Sequence, residues 1–289
     1  MTFLHLHCHS DRTIGRSLIK PNKLADHYAK VGVSGACLTD NGSMNGIIQL
    51  YNACKKVNIK PVIGIEVNVV PNKSVKSKES ATVVLIAKNL IGFYNLVKIT
   101  TIGSMFFYYI PRVDIDVLAK YHDGIIALSS DLRGVAATAF FAKGHNGIAE
   151  VYDQFMTIYD GEFYWEIQPT QTESQRIYNE ALVEEAKVSS SFKLVASGDP
   201  HYLLQEDREL HIQLLAAKNF RNQFWDYPFR GDFHVLSESE MVALFTLLHG
   251  RPIINDDCFF AALDQPRLIL DKIESFDLRH GTKVPSFVE

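Results

Sequence analysis

Short apolar runs alternate with amphipathic stretches from the first residues to about residue 200, and this alternation narrows the possible folds more than any other feature of the chain. Apolar runs of strand length between turn residues read as buried strands, and the amphipathic stretches between them as helices. FLHLH (3–7) opens as a strand. Pro21 then suits a first helical position, and KLADHYAKVG runs as a helix ended by Gly32. SGACLTD is a second strand, and Ser43 is placed to cap a helix over MNGIIQLYNACKKV. PVIGIEVNVV, apolar on both faces as in a parallel sheet, is a third strand and PNKSVKSKES a loop. TVVLIAK, GIIALSS, EFYWEIQP and FKLVASGD follow as further strands, separated by helical sequence. From His201 the chain reads as helical, with one irregular stretch, NQFWDYPFRGDFHVL.

Strands alternating with helices in this way predict an α/β fold, a parallel barrel of seven strands with helices appended at the C-terminal end. Residues 1–205 would form the barrel and residues 206–289 a helical part. With 289 residues the chain can bury a full core. A net charge of −4 argues against strong nucleic-acid binding driven by charge alone. The four cysteines, Cys8, Cys37, Cys54 and Cys258, form no C-x-x-C pair, which suits a reduced cytoplasmic protein. The N-terminus has no cationic segment followed by a long apolar run, so no signal peptide is expected. No apolar run is long enough for a membrane span.

In parallel barrels the chemistry gathers at the C-terminal ends of the strands. Those ends carry His7 and His9, then Thr39, Asp40 and Asn41, then Glu66, then Ser129, Ser130 and Asp131, and finally Asp199-Pro200-His201. Imidazole and carboxylate together suit zinc, manganese or iron, and clustered ions of that kind suit hydrolysis of a phosphoester. Each element alone has a plain alternative. H-x-H at a strand end can be polar surface, and D-P-H can be a turn. Glu66, inside an apolar strand, needs a metal, a lysine, an arginine or other donors if it is buried. By alternation His5 shares a face with His7 and His9, but it lies furthest from the strand end and reads as packing. The aromatic runs MFFYYIPR (105–112) and FRNQFWDYPFR (220–230) mix rings with arginine as single-strand binders do. The plainer expectation is that they pack the barrel and its helices, and that KSVKSK is a solvated face.

The segments FLHLHCHSD, LTDNG, NIKPVIGIEV, IAKNLIGFYNLVKI, GIIALSSDL and ASGDPHY together resemble the polymerase and histidinol phosphatase (PHP) domain. The likeness is to the version at the N-terminus of bacterial replicative DNA polymerase III alpha subunits. GFYNLVKI, EFYWEIQ and FHVLSESEMVALF carry it past the metal motifs, and it extends nearly to VPSF. It implies a distorted seven-stranded (β/α) barrel with a trinuclear metal site at its mouth. Carried over position by position, it keeps His7, His9, Glu66, Asp199 and His201 as ligands. Asp131 stands where the family has cysteine or histidine. Arg16, Asn41 and Thr82 fall at positions where ligands are lost.

Asn and Thr are poor ligands for zinc, and Arg cannot be deprotonated. A unit charge about 4 Å from an ion is worth about 4 kcal/mol at an effective dielectric near 20. The expectation is therefore one zinc or manganese ion at most, with Arg16 neutralising Glu66 or Asp131 in place of the rest. The resemblance implies a part in DNA replication: a degenerate metal site, no polymerase activity in the chain alone, and docking of a polymerase palm and fingers and a proofreading exonuclease. DNA would be reached through the replicase. An active metal-dependent 3′–5′ exonuclease is the alternative. A small-molecule phosphatase fits less well, because the alpha-type segments are present and ligands are missing.

Overall fold

The computed structural model describes residues 3–218 and 231–278, so the aromatic run at 220–230 and the VPSF stretch lie outside the described residues. Among those residues six strands form one curled sheet in sequence order: β1 (Gly35–Leu38), β2 (Lys60–Val69), β3 (Ala81–Ala87), β4 (Ile125–Leu128), β5 (Phe163–Ile167) and β6 (Leu194–Ala196). The first helices are α1 (Pro21–Val31), α2 (Ile47–Lys56), α3 (Leu90–Met105), α4 (Ile115–Lys120) and α5 (Val135–Lys143). They are followed by α6 (His145–Ile158), α7 (Glu173–Val188), α8 (Arg208–Lys218), α9 (Glu238–His249) and α10 (Asp257–Lys272).

Local chemistry sets most helix ends. Pro21 opens α1, where its missing N–H is not needed, and Gly32 closes it at φ 81°. Side chains of Asn89, Asp114, Thr172, Ser237 and Asp256 accept first-turn N–H groups of α3, α4, α7, α9 and α10. Ser43 does not cap α2. The helix starts at Ile47 behind Gly46, and Ser43 Oγ accepts from Asn45 N–H in the turn before it.

Two expectations about the sheet are corrected. The first concerns direction: β3 runs antiparallel to both β2 and β4, whereas β1–β2, β4–β5 and β5–β6 are parallel. The physical reason lies in residues 70–80, which link β2 to β3 without a helix. A parallel return needs a crossover of about a dozen residues or more, usually helical. Reversal brings the start of β3 to the rim, with Thr82 paired opposite Asn68, two residues beyond Glu66.

The second concerns strand number, since FLHLH does not form a seventh strand. Along residues 5–10 three backbone donors are diverted to side chains. His5 N–H donates to Tyr28 Oη, Cys8 N–H to Thr39 Oγ1 and Ser10 N–H to Asp40 Oδ1. Two backbone bonds still hold the segment, Thr39 N–H to Cys8 C=O at 2.8 Å and His9 N–H to Pro200 C=O at 3.2 Å. They tie it to the residues just after β1 and just after β6, so His7 and His9 sit between the two edges of the curled sheet.

The C-terminal helices share the core of the sheet. Ile269 and Leu270 of α10 are buried with it, and Lys60 Nζ at the start of β2 donates to the carbonyls of Leu270 and Ile273 at 2.8 and 2.9 Å. No described helix is long and apolar enough to cross a membrane.

Candidate metal centre

The rim gathers His7, His9, Glu66, Asp199 and His201, all buried. His7 and His9 come from the extended first segment, Glu66 from β2, and Asp199 and His201 from the loop after β6. His7 Nε2 lies 3.1 Å from His9 Nε2, and His9 Nε2 lies 3.2 Å from Asp199 Oδ1. Glu66 approaches both imidazoles at 3.8 Å, and His201 Nε2 lies 3.6 Å from Asp199 Oδ2. Two overlapping groups could each hold an ion, His7–His9–Glu66 and His9–Asp199–His201. Nε2 of His9 faces both Glu66 and Asp199. A neutral imidazole nitrogen has one lone pair to give, so His9 serves one group or the other.

The rest of the rim supplies protein donors. Asn41 Nδ2 donates to Glu66 Oε2 at 2.6 Å, Ser130 Oγ to Oε1 at 3.3 Å, and Arg133 Nη2 reaches Oε1 at 3.5 Å. Burial alone would raise the Glu66 pKa, but Arg133, His9 and His7 outweigh it and bring it down to about 2. Thr82 Oγ1 bonds Ser130 Oγ at 2.8 Å and so reaches Glu66 at second hand. Asp131, expected as a ligand, pairs with Arg133 Nε at 2.8 Å and belongs to neither group.

Arg16 does not take the neutralising role given to it above. Among the described residues it makes no ion pair, and its carbonyl lies 2.6 Å from His211 Nε2. Arg133 holds that place instead, its guanidinium pushed further up by Asp131 and Glu66 against the cost of burial.

His7 is oriented by Glu166 on β5, whose Oε1 lies 2.9 Å from His7 Nδ1, and Gln168 Nε2 donates to the same oxygen at 2.7 Å. Burial would lower the His7 pKa, but Glu166 and Asp199 hold it well above the ordinary range. Asp199 titrates far below the usual carboxylate range, because His7, His201 and His9 outweigh its burial. Burial pushes the His201 imidazole well below its usual range. Arg133 and a protonated His7 offset two of the four carboxylates gathered here, Glu66, Asp131, Glu166 and Asp199.

A single ion also fits. Asp199 Oδ1 is buried, and among the described residues no donor meets it in hydrogen-bonding geometry. It faces two imidazoles, a donor set that suits zinc or manganese. Asp199 and Ser130 have φ of 46° and 67°, a region that non-glycine residues seldom occupy and that often marks functional sites.

Glu166 and Arg133 were missed at the level of sequence. Glu166 carries the same signal as Glu66, a carboxylate inside an apolar strand, within EFYWEIQ. Arg133 carries no such signal, because a turn brings it back to the rim. His5 packs as expected: its Nδ1 accepts from Gly198 N–H at 3.0 Å and its Nε2–H donates to Leu236 C=O at 3.0 Å.

The PHP domain profile matches residues 5–170, more than half of the 289-residue chain. The chain belongs to the PHP domain family. The matched region of this PHP domain takes in His7, His9, Glu66, Asp131 and Glu166 and ends before Asp199. The chain is similar to DNA polymerase III subunit alpha of Borreliella burgdorferi, 31% identical over 255 residues, covering 84% of this chain and 22% of that protein. It is also similar to DNA polymerase III subunit alpha of Aquifex aeolicus, 33% identical over 228 residues, covering 75% of this chain and 20% of that protein. It thus spans about a fifth of the length of these curated relatives. Among solved structures, an amidohydrolase from Chromobacterium violaceum is similar at TM-score 0.41 with 10% identity, over 68% of this chain and 87% of that one.

Proposed function

We propose that this chain is the PHP part of a DNA polymerase III alpha-type replicase, serving DNA replication as a structural and docking unit whose metal site has decayed. It adds no nucleotides by itself. Its partners are the polymerase palm and fingers, as a further domain or a separate chain, and a proofreading exonuclease. The observation that carries the reading is the state of Glu66. Asn41, Ser130 and Arg133 already occupy both its oxygens, so a full trinuclear cluster would have to displace them.

Elemental analysis of the purified protein, together with a nuclease assay in added manganese, tests this. At most one ion per chain and no cleavage are expected. Three ions per chain would refute the decayed site.

A second reading, a metal-dependent 3′–5′ exonuclease, is favoured by the His9–Asp199–His201 group and the unmatched Asp199 Oδ1. An ion held there would supply Lewis-acid activation of a phosphoester. His9 and His201 would hold it, and Glu166 would keep His7 turned toward the cluster. Manganese-dependent cleavage of single-stranded DNA, abolished by Asp199→Asn and His7→Ala, would establish this reading over the first.

A further inference from the structure

The aromatic run at 105–112 does not pack as its composition suggests. Phe107 is 61% exposed and Tyr109 68%, at the tip of a tight turn closed by Tyr108 N–H to Ile110 C=O at 3.1 Å. Tyr109 sits at φ 62°, a costly conformation for a bulky residue. The turn is held from below by Arg112, itself buried. Its guanidinium donates to the carbonyls of Phe106, Val75 and Ser77 at 2.9, 2.8 and 3.2 Å. That clamp presses the 71–80 loop against the turn and brings its lysines to the rings. Lys78 Nζ lies 4.9 Å from the centre of the Tyr109 ring, and Lys76 Nζ lies 6.0 Å from Tyr108. Neither lysine has a carboxylate partner among the described residues, whereas Lys73 in the same loop is paired with Asp114 at 2.9 Å.

The platform stands on the rim of the PHP site. Asn68 Nδ2 donates to Pro111 C=O at 3.0 Å and reaches Asn41 Oδ1 at 3.3 Å, and Asn41 bonds Glu66. Two side chains therefore separate the turn from the buried carboxylate.

We propose that this platform binds single-stranded nucleic acid, with bases stacked on Phe107 and Tyr109 and phosphates held by Lys76 and Lys78. Exposed rings with free cations beside them form the combination that binds single strands with little regard for sequence. Unpaired lysines concentrated here, on a chain of net charge −4, favour a polyanion over an apolar protein surface. The inference does not depend on whether the site holds metal.

The test is fluorescence anisotropy of a labelled oligodeoxythymidylate with the full chain, at low salt and across a salt series. Phe107→Ala and Tyr109→Ala should each weaken binding by roughly tenfold. Lys76→Glu with Lys78→Glu should weaken it and flatten the salt dependence. Ile91→Ser, on the exposed side of α3, should change nothing, and circular dichroism melts confirm that each variant folds. The proposal falls if the unaltered chain does not bind the oligonucleotide. It falls equally if the ring variants bind as tightly as the parent, including the case in which they instead lose a polymerase or exonuclease chain.

Discussion

Asn41 Nδ2 lies 2.6 Å from Glu66 Oε2 and donates to it, so an amide hydrogen bond competes for a carboxylate that an ion held by His7, His9 and Glu66 would need. Replacing that donor by imidazole removes the competing hydrogen bond and adds a ligand. Asn41→His is expected to bind zinc more tightly than the parent, on the order of tenfold or more, the scale on which even indirect partners of a metal ligand act. Competition against a chromogenic chelator measures this. Equal affinity in the two proteins would show that Asn41 does not limit the site.

Arg133 is the cation nearest Glu66, and Glu66 is fully buried. Removing one member of a buried ion pair typically costs about 3–5 kcal/mol. Arg133 is one-third exposed, and Asn41 and Ser130 remain on Glu66. Arg133→Met should therefore destabilise the fold by about 2 kcal/mol, below that range. Urea denaturation checks the loss, and Glu66→Gln in the same background should recover most of it. Arg16→Met, by contrast, should leave stability nearly unchanged.

The difference between Arg16 and Arg133 shows where sequence reasoning stopped. The gathering of His7, His9, Glu66, Asp199 and His201 was legible because four of them fall at the ends of apolar runs and Glu66 stands as a carboxylate inside one. There the two-residue period and the barrel layout together set where a side chain points. Arg133 arrives through a turn whose Ser130 has φ 67°, and no periodicity encodes such a turn. The direction of β3 was legible in principle, since residues 70–80 have no helical pattern and cannot make a parallel crossover. The first segment was not. FLHLH has strand composition, but along residues 5–10 the N–H groups of His5, Cys8 and Ser10 go to Tyr28, Thr39 and Asp40, all more than twenty residues away in the chain.

Glu166 fixes the ring of His7 through Nδ1 at 2.9 Å and leaves Nε2 turned toward His9 and Glu66. Glu166→Gln keeps the shape but removes the charge that raises the His7 pKa. Metal affinity should fall by about 10–100-fold, the usual effect of losing the carboxylate behind a ligating histidine. Isothermal titration with zinc measures it. A variant that binds zinc as the parent does would mean His7 is not a ligand, which would leave His9, Asp199 and His201 as the working group.

Asp256 couples the C-terminal helices to the barrel side of the molecule. Its Oδ1 accepts from Cys258 N–H at 3.1 Å at the start of α10, and its Oδ2 meets Lys187 of α7 at 3.2 Å and Arg251 at 3.3 Å. Burial would raise its pKa, but the bonds and charges from Lys187 and Arg251 outweigh it, so the folded value lies below the ordinary one. A carboxyl group with a lowered folded pKa adds stability that is fully present above its unfolded pKa, near 4. That stability is lost as pH falls through the folded value. Asp256→Asn keeps a cap acceptor but not the charge. Both cationic partners are about half exposed, so the variant should cost no more than about 1 kcal/mol at neutral pH. Asp256→Ala should lose about 1 kcal/mol more with the cap. In urea titrations from pH 7 to pH 3, the gap between parent and Asp256→Asn should stay level down to about pH 4 and then close. A gap that widened in acid would mean the carboxylate is destabilised by its surroundings and that Lys187 and Arg251 do not outweigh its burial.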